Sequence, residues 1–180
     1  MSQARFAVLA VCTANICRSP IIEIALRSRL DPDRFEVASA GVEGFIDRPM
    51  DAMSEMELMR LGLAADGFAS QRLNGYLVRA ANLVVTATVD HRRRILEEEP
   101  RAMRSSFTLL EFAALCTLID DEALTCPELV AAAAARRQEV KGSLNIGDPY
   151  RRSPRVHRET ADQIAEATQV VAERLMLCPS

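Results

Sequence analysis

The apolar run Phe6-Ala7-Val8-Leu9-Ala10-Val11 passes without interruption into Cys12-Thr13-Ala14-Asn15-Ile16-Cys17-Arg18-Ser19-Pro20. That join restricts the fold more than any other stretch. It reads as a buried strand delivering a cysteine to a short loop, with Pro20 placed to open a helix and Ser19 to cap it. Five residues separate Cys12 from Arg18, enough to wrap backbone N–H groups around a tetrahedral oxyanion while a guanidinium closes the ring. Amides converging beside a helix N-terminus make an anion site. The same field favours the thiolate of Cys12, the nucleophilic form of cysteine. Nucleophile, anion cradle and guanidinium in one loop point to cleavage of a phosphate ester. The loop is not of the Walker type, because it lacks the glycines and the terminal Gly-Lys-Ser/Thr.

The rest of the chain alternates as such a loop requires. Further strands are predicted over 34–40, closed by Gly41, over 81–87, and over 105–109. Helices are predicted from Pro20 to about 30, over 53–61, over 90–99, across 110–140 and over 155–175. In the second of these, Met53, Met56, Leu58, Met59 and Leu61 form an apolar stripe assigned to the core. This order implies an α/β fold: a small four-stranded parallel sheet with helices on both faces and a phosphate-binding loop after the first strand. Ligands of such sheets sit beyond the carboxyl ends of the strands, where Cys12 falls. Residues 1–180 read as a single domain, in which about 113–142, with the run Ala131 to Ala135, is an extra helical stretch.

Composition narrows the partners. Hydrophobic content of 49% with 26% charged residues is that of a globular chain, and without Trp the core is assigned to Leu, Val, Ala and Met. A net charge of -3 gives no reason to expect nucleic acid. Arg92-Arg93-Arg94 precedes Glu97-Glu98-Glu99 and reads as a solvated helix face with i,i+4 pairs. No stretch approaches the roughly 18 apolar residues of a membrane span, and the opening residues lack a signal-peptide pattern. The expectation is a cytoplasmic protein without membrane association. The cysteines at 12, 17, 116, 126 and 178 form neither a disulfide framework nor a zinc pattern. With His91 and His157 the only histidines, no metal site is expected, and nothing calls for an organic cofactor. Cys12 and Cys17, on one loop, form a conceivable reversible pair; a small buried Cys17 is the plainer alternative.

Phosphocysteine chemistry needs an acid for the leaving oxygen. Asp148-Pro149-Tyr150, after Leu144-Asn145-Ile146-Gly147, is the candidate, since a residue before proline is held extended and projects from its loop. Together with the loop from Cys12 to Pro20, this triplet resembles the low-molecular-weight protein tyrosine phosphatase family. Ser39-Ala40-Gly41, Pro49-Met50-Asp51 and Thr88-Val89-Asp90-His91-Arg92-Arg93 agree with it. The resemblance implies that Cys12 attacks phosphorus, that Arg18 binds two oxygens of the phosphoryl group, and that Asp148 protonates the leaving phenol and then activates water. It implies a cradle of Thr13, Ala14, Asn15, Ile16, Cys17 and Ser19, with Ser19 bonded to the Cys12 sulfur. It further implies support from Asn15 and Ser39, and an aryl pocket walled by Ile16, Phe45 and Tyr150. The implied partner is a tyrosine-phosphorylated protein or a small aryl phosphate.

Two residues depart from the family pattern. Ala14 replaces a usual Gly, which would strain the loop if its φ were positive. Phe68 falls where many members carry a histidine in the network supporting the loop, so Ser39 and Asn15 are expected to find other partners. Two rival readings remain open. One is a thioredoxin-coupled arsenate reductase on the same fold, with Cys116 and Cys126 as its relay. The other is a non-catalytic phosphate or oxyanion binder, or a redox sensor using Cys12 and Cys17.

Overall fold

The structure, a computed structural model, describes residues 4–179. Four parallel strands, β1 (Phe6–Cys12), β2 (Phe35–Gly41), β3 (Leu83–Thr86) and β4 (Ser106–Thr108), lie in the order β2-β1-β3-β4. The register pairs Cys12 with Gly41 and Val11 with Thr86. Helices α1 (Arg18–Arg27), α2 (Ala52–Arg60), α3 (Gly75–Ala80), α4 (Val89–Glu98), α5 (Leu109–Leu118), α6 (Cys126–Arg136) and α7 (Pro154–Leu177) connect and cover it.

The period of two along β1 decides what each face receives. Val8, Ala10 and Cys12 join the larger core with Ile21, Ile22, Phe112, Leu129 and Ile164, from α1, α5, α6 and α7. Leu9 and Val11 face the other way, against Val78 of α3 and Ile95 of α4. Both faces are therefore covered, which is why the central strands are apolar almost throughout. Because β2 lies on one side of β1 and β3 on the other, the chain reverses its winding direction between β1 and β3. The crevice this opens at their carboxyl ends is where a doubly wound sheet takes its ligand. No helix among the described residues is long and apolar enough to cross a membrane.

Several boundaries differ from the sequence expectation. Helix α1 starts at Arg18 with Cys17 flanking it, so Ser19 lies inside the first turn and caps nothing. Its side chain turns to Cys12 instead. The stretch expected to be one helix over 110–140 is two, separated by residues 119–125. Thr108 and Glu111 form a capping box at α5, and the Glu128 carboxylate accepts from the Thr125 N–H at the start of α6. Helix α3 was not predicted; six residues are too few to show a helical period.

The methionine stripe is also corrected. Met56 and Met59 of α2 are exposed, whereas Ser54, Glu57 and Leu58 are buried. Five residues spaced like these fit more than one face of a two-turn helix, and the buried face here is the one turned to α7. Phenylalanine fills space the composition had assigned to methionine: Phe107 and Phe112 are fully buried and packed on each other. The arginine run does form a solvated, ion-paired face, with Arg93 bridging Asp90 and Glu97, and Arg94 reaching Glu43.

Leu58→Ala is therefore expected to destabilise the protein by about 2–5 kcal/mol, the cost of a cavity in a closed core. The double change Met56→Gln with Met59→Gln should stay within about 1 kcal/mol. Urea unfolding of both variants separates the two faces of α2.

Candidate active site

The loop after β1 is shaped by where its carbonyl groups go. Cys12 O accepts from Val42 N, Thr13 O from Glu43 N, and Ile16 O from Asp51 N, at 2.8–3.0 Å. All three carbonyls thus face outward, onto the segment following β2. In a trans peptide the next N–H points the opposite way, so the amides of Thr13, Ala14 and Cys17 point into the loop. Gly41 permits this closeness: a Cβ there would lie 2.6 Å from Thr13 O and 2.8 Å from Asn15 N. The left-handed residue is Asn15, with φ of 57°, and not Ala14. Asparagine tolerates that region, and the strain expected at Ala14 is absent.

The Asn15 amide fixes the second layer. Its Oδ1 accepts from Gln71 N at 2.8 Å, which sets the amide's orientation. Nδ2 then donates to Ser39 Oγ at 2.7 Å and to Ser19 Oγ at 2.9 Å. The Ser19 hydroxyl also lies 3.0 Å from Cys12 Sγ and 3.4 Å from Ala40 O. Ser39 passes its own proton to the Glu23 carboxylate of α1, which also pairs with Arg27. Burial pushes the Glu23 carboxyl above its ordinary range, against the pull of Ser39 and Arg27. Asn15 and Ser39 do find partners without a histidine: they are Gln71 and Glu23. Phe68 packs beside the core.

Arg18 is 4% exposed, and its side chain lies across the mouth of the loop. Nη1 donates to Ile146 O at 3.1 Å, and Nη2 reaches Thr13 Oγ1 at 3.3 Å and Asp148 Oδ2 at 2.8 Å. Its Nε is buried with no hydrogen-bond partner. A buried guanidinium N–H left unpaired is costly unless something anionic meets it. Ile146 N donates to Ala87 O and Asn145 Oδ1 accepts from Val89 N, which pins the segment carrying Asp148 to the end of β3. Asp148 is brought to the cradle from the far end of the sequence, and Pro149 and Tyr150 follow at its rim. Ile16 is half-buried, while Phe45 and Tyr150 stand exposed. Nothing in the described contacts joins Phe45 to Tyr150.

The sequence reading missed His91. It is buried in the first turn of α4, with Nε2 at 2.9 Å from Thr13 Oγ1 and Nδ1 at 2.9 Å from Thr88 Oγ1. Burial, then the charge of Arg18, holds it down to about 4. It is a neutral imidazole at neutral pH, with one ring nitrogen on the Thr13 hydroxyl and the other on that of Thr88. The signal available was Thr88, an N-cap three residues before His91. Behind the loop, Cys17 is buried against Ser54, and burial pushes it up to about 12. It is a thiol there, not a second thiolate.

Cys116 and Cys126, the relay of the reductase reading, are not placed beside Cys12. Cys116, Cys126 and Cys178 lie around Arg174, and Cys126 opens on a cleft shared with Phe6, Phe35 and Asn82 at the amino ends of the strands. Cys12 is at the carboxyl end of β1, about 20 Å away along seven residues of strand.

A model of the family described as "Low molecular weight phosphotyrosine protein phosphatase" matches residues 7–124. The chain is 38% identical over 92 residues to the low molecular weight protein-tyrosine-phosphatase Etp of Escherichia coli K12, a match covering 51% of this chain and 61% of that one. It is 33% identical over 107 residues to a protein-arginine-phosphatase of Geobacillus stearothermophilus, covering 59% and 71%. Among solved structures, the YwlE arginine phosphatase of Geobacillus stearothermophilus superposes with a TM-score of 0.76 at 26% identity, over 95% of this chain and 93% of that one. A doubly wound sheet with an oxyanion cradle after its first strand defines the class, and the chain belongs to the low-molecular-weight phosphotyrosine protein phosphatase family.

His91 yields a prediction for stability against pH. A histidine held down to about 4, against 6.5 when unfolded, contributes stability that is complete above the unfolded value and lost as pH falls through about 4. Between pH 7 and 4 this costs about 3 kcal/mol. Urea unfolding should show the wild type losing that much more than His91→Gln on acidification; parallel losses would contradict it.

Proposed function

We propose that the protein hydrolyses aryl phosphate monoesters, phosphotyrosine above all, through a phosphocysteine on Cys12. The observation that carries this reading is the unpaired, buried Nε of Arg18, on the one loop that also carries the inward amides and the Cys12 sulfur. In this reading Cys12 Sγ attacks phosphorus, and the S–P bond forms as the P–O bond to the phenol breaks. The amides from Thr13 to Ser19 and the fork of Arg18 bind the three equatorial oxygens, where charge gathers in the transition state. Asp148, at 2.8 Å from Arg18, gives its proton to the leaving oxygen and takes one from the water that next attacks phosphorus. Ser19 stabilises the sulfur as it leaves. Thr13 and the neutral His91 hold Arg18 in the plane that makes its fork useful.

Ile16 offers no hydrogen bond to a substrate, and with Tyr150 and Phe45 it forms the apolar surroundings that suit an aromatic ring. That supports phosphotyrosine over phosphoarginine, whose guanidine would leave its N–H groups unmet. The aryl ester is the reading we adopt, and a tyrosine-phosphorylated protein or a small aryl phosphate is the partner. The five unpaired thiols fit a reducing, cytoplasmic compartment. We take residues 4–179 to work as one catalytic unit.

Turnover of para-nitrophenyl phosphate tests this. Cys12→Ser should abolish activity, and Asp148→Ala should lower kcat by about 10²–10⁴ with a phosphotyrosine peptide, the range of a lost general acid. Gly41→Ala, by displacing the loop, should cost about 10² in kcat/KM. Faster turnover of a phosphoarginine peptide than of its phosphotyrosine counterpart would overturn the substrate assignment. Undiminished activity in Cys12→Ser would overturn the mechanism.

A further inference from the structure

At the pole of the sheet opposite the cradle, Arg174 is 6% exposed on α7 and pairs with no carboxylate among the described residues. Its Nε donates to Ile119 O at 3.3 Å, its Nη2 to Asp121 O, and its Nη1 to Cys178 Sγ at 3.7 Å. A buried guanidinium requires an anion or a full set of acceptors. Two carbonyls answer part of that need, and the sulfur of Cys178 is the remaining partner. Among the three cysteines around Arg174, Cys178 is the one whose sulfur the guanidinium reaches, which favours its thiolate; as a thiol the same sulfur reaches Arg174 O at 3.7 Å.

A second thiol adjoins it. Leu175 O accepts from Cys178 N at 3.2 Å and from Cys126 Sγ at 3.7 Å, so both cysteines gather at one carbonyl. Cys126 begins α6 and Cys178 follows the last residue of α7. The neighbouring Cys126, then Arg174 and Arg34, draw Cys178 below the usual thiol value, while Cys178 and burial drive Cys126 up. Cys116 of α5, also near Arg174 and Cys178, is pushed up to about 12 by burial. A cleft of about 450 Å³ bounded by Arg34, Asp33, Cys126, Pro127 and Pro179 opens Cys126 to solvent, while Cys178 is buried. No group of three or more metal-binding side chains forms among the described residues, so the cluster reads as dithiol and not as a metal site.

We propose that Cys178 and Cys126 are a peroxide-reactive dithiol, with Cys178 the attacking thiolate, Cys126 the resolving thiol and Arg174 the residue that holds the charge. The Cys178 sulfur takes one oxygen of a hydroperoxide; the O–O bond breaks, and the other oxygen leaves as hydroxide, or as alkoxide, and is protonated. The resulting sulfenic acid is displaced by Cys126, which forms the S–S bond and releases water. Two electrons pass from the two sulfurs to the peroxide. The product ties the start of α6 to the end of α7, on the far side of the sheet from Cys12. It is thus a modification site separate from the proposed catalytic one, and a thiol reductant reverses it.

Peptide mapping of the folded protein tests this: the wild type receives stoichiometric hydrogen peroxide, remaining thiols are blocked with N-ethylmaleimide, and the chain is digested. The expected product is a peptide linked through Cys126 and Cys178, lost on treatment with dithiothreitol. In Cys126→Ser, dimedone should label Cys178 instead, and in Arg174→Met the linked product should form at least tenfold more slowly. The wild-type map needs no variant to fold. An unmodified Cys178 in peroxide-treated native protein, or linkage of Cys178 to Cys116 in preference to Cys126, would overturn the proposal.

Discussion

A short loop can be an anion site only if its carbonyl oxygens are disposed of elsewhere, and here the segment after β2 does that. Val42, Glu43 and Asp51 supply the donors that draw three carbonyls outward, and the amides turn inward as a geometric consequence. The contact demands that two backbones nearly touch, which Gly41 permits by lacking a Cβ. Asn15 then completes the arrangement from inside, because one amide group serves Gln71, Ser39 and Ser19 together. A preorganised cradle of this kind is ready before substrate arrives, the condition under which electrostatic stabilisation costs no reorganisation.

Some of this was legible in the sequence for a physical reason. The strand before Cys12 is apolar because both faces of β1 are buried, and the loop is recognisable because few residue sets can enclose an oxyanion in five positions. Asp148 was found by its proline neighbour and the resemblance it shared with the loop. Gly41 was read as the end of a strand, and its tight approach to Thr13 only the structure reveals. His91, Gln71 and Glu23 were not found, since each acts through a hydrogen bond to a distant residue: 78 positions separate His91 from Thr13, and 56 separate Gln71 from Asn15. The exposed Met56 and Met59 were misplaced because a two-turn helix offers two apolar faces to one pattern. Ser19 was given two roles, a helix cap and a bond to the Cys12 sulfur, and only the second is made.

The protein keeps its thiols at two poles of one sheet, in different electrostatic settings. At the carboxyl ends, Cys12 meets the Ser19 hydroxyl, on the loop whose Arg18 guanidinium holds Asp148. At the amino ends, Cys178 meets a guanidinium without a carboxylate. Cys17 and Cys116, by contrast, are governed by burial, which drives both up to about 12 even though Arg174 pulls Cys116 the other way.

The central claim is that phosphate passes through Cys12, and rapid mixing tests it most directly. Para-nitrophenyl phosphate mixed with the enzyme at comparable concentration, and quenched within the first turnover, should leave a phosphorus–sulfur linkage on the peptide containing Cys12, detectable by ³¹P NMR. It should form as fast as the nitrophenolate is released. Nitrophenolate released at full rate with no phosphorus on that peptide would mean that water attacks the ester directly, and the cradle would then bind substrate without forming a covalent intermediate.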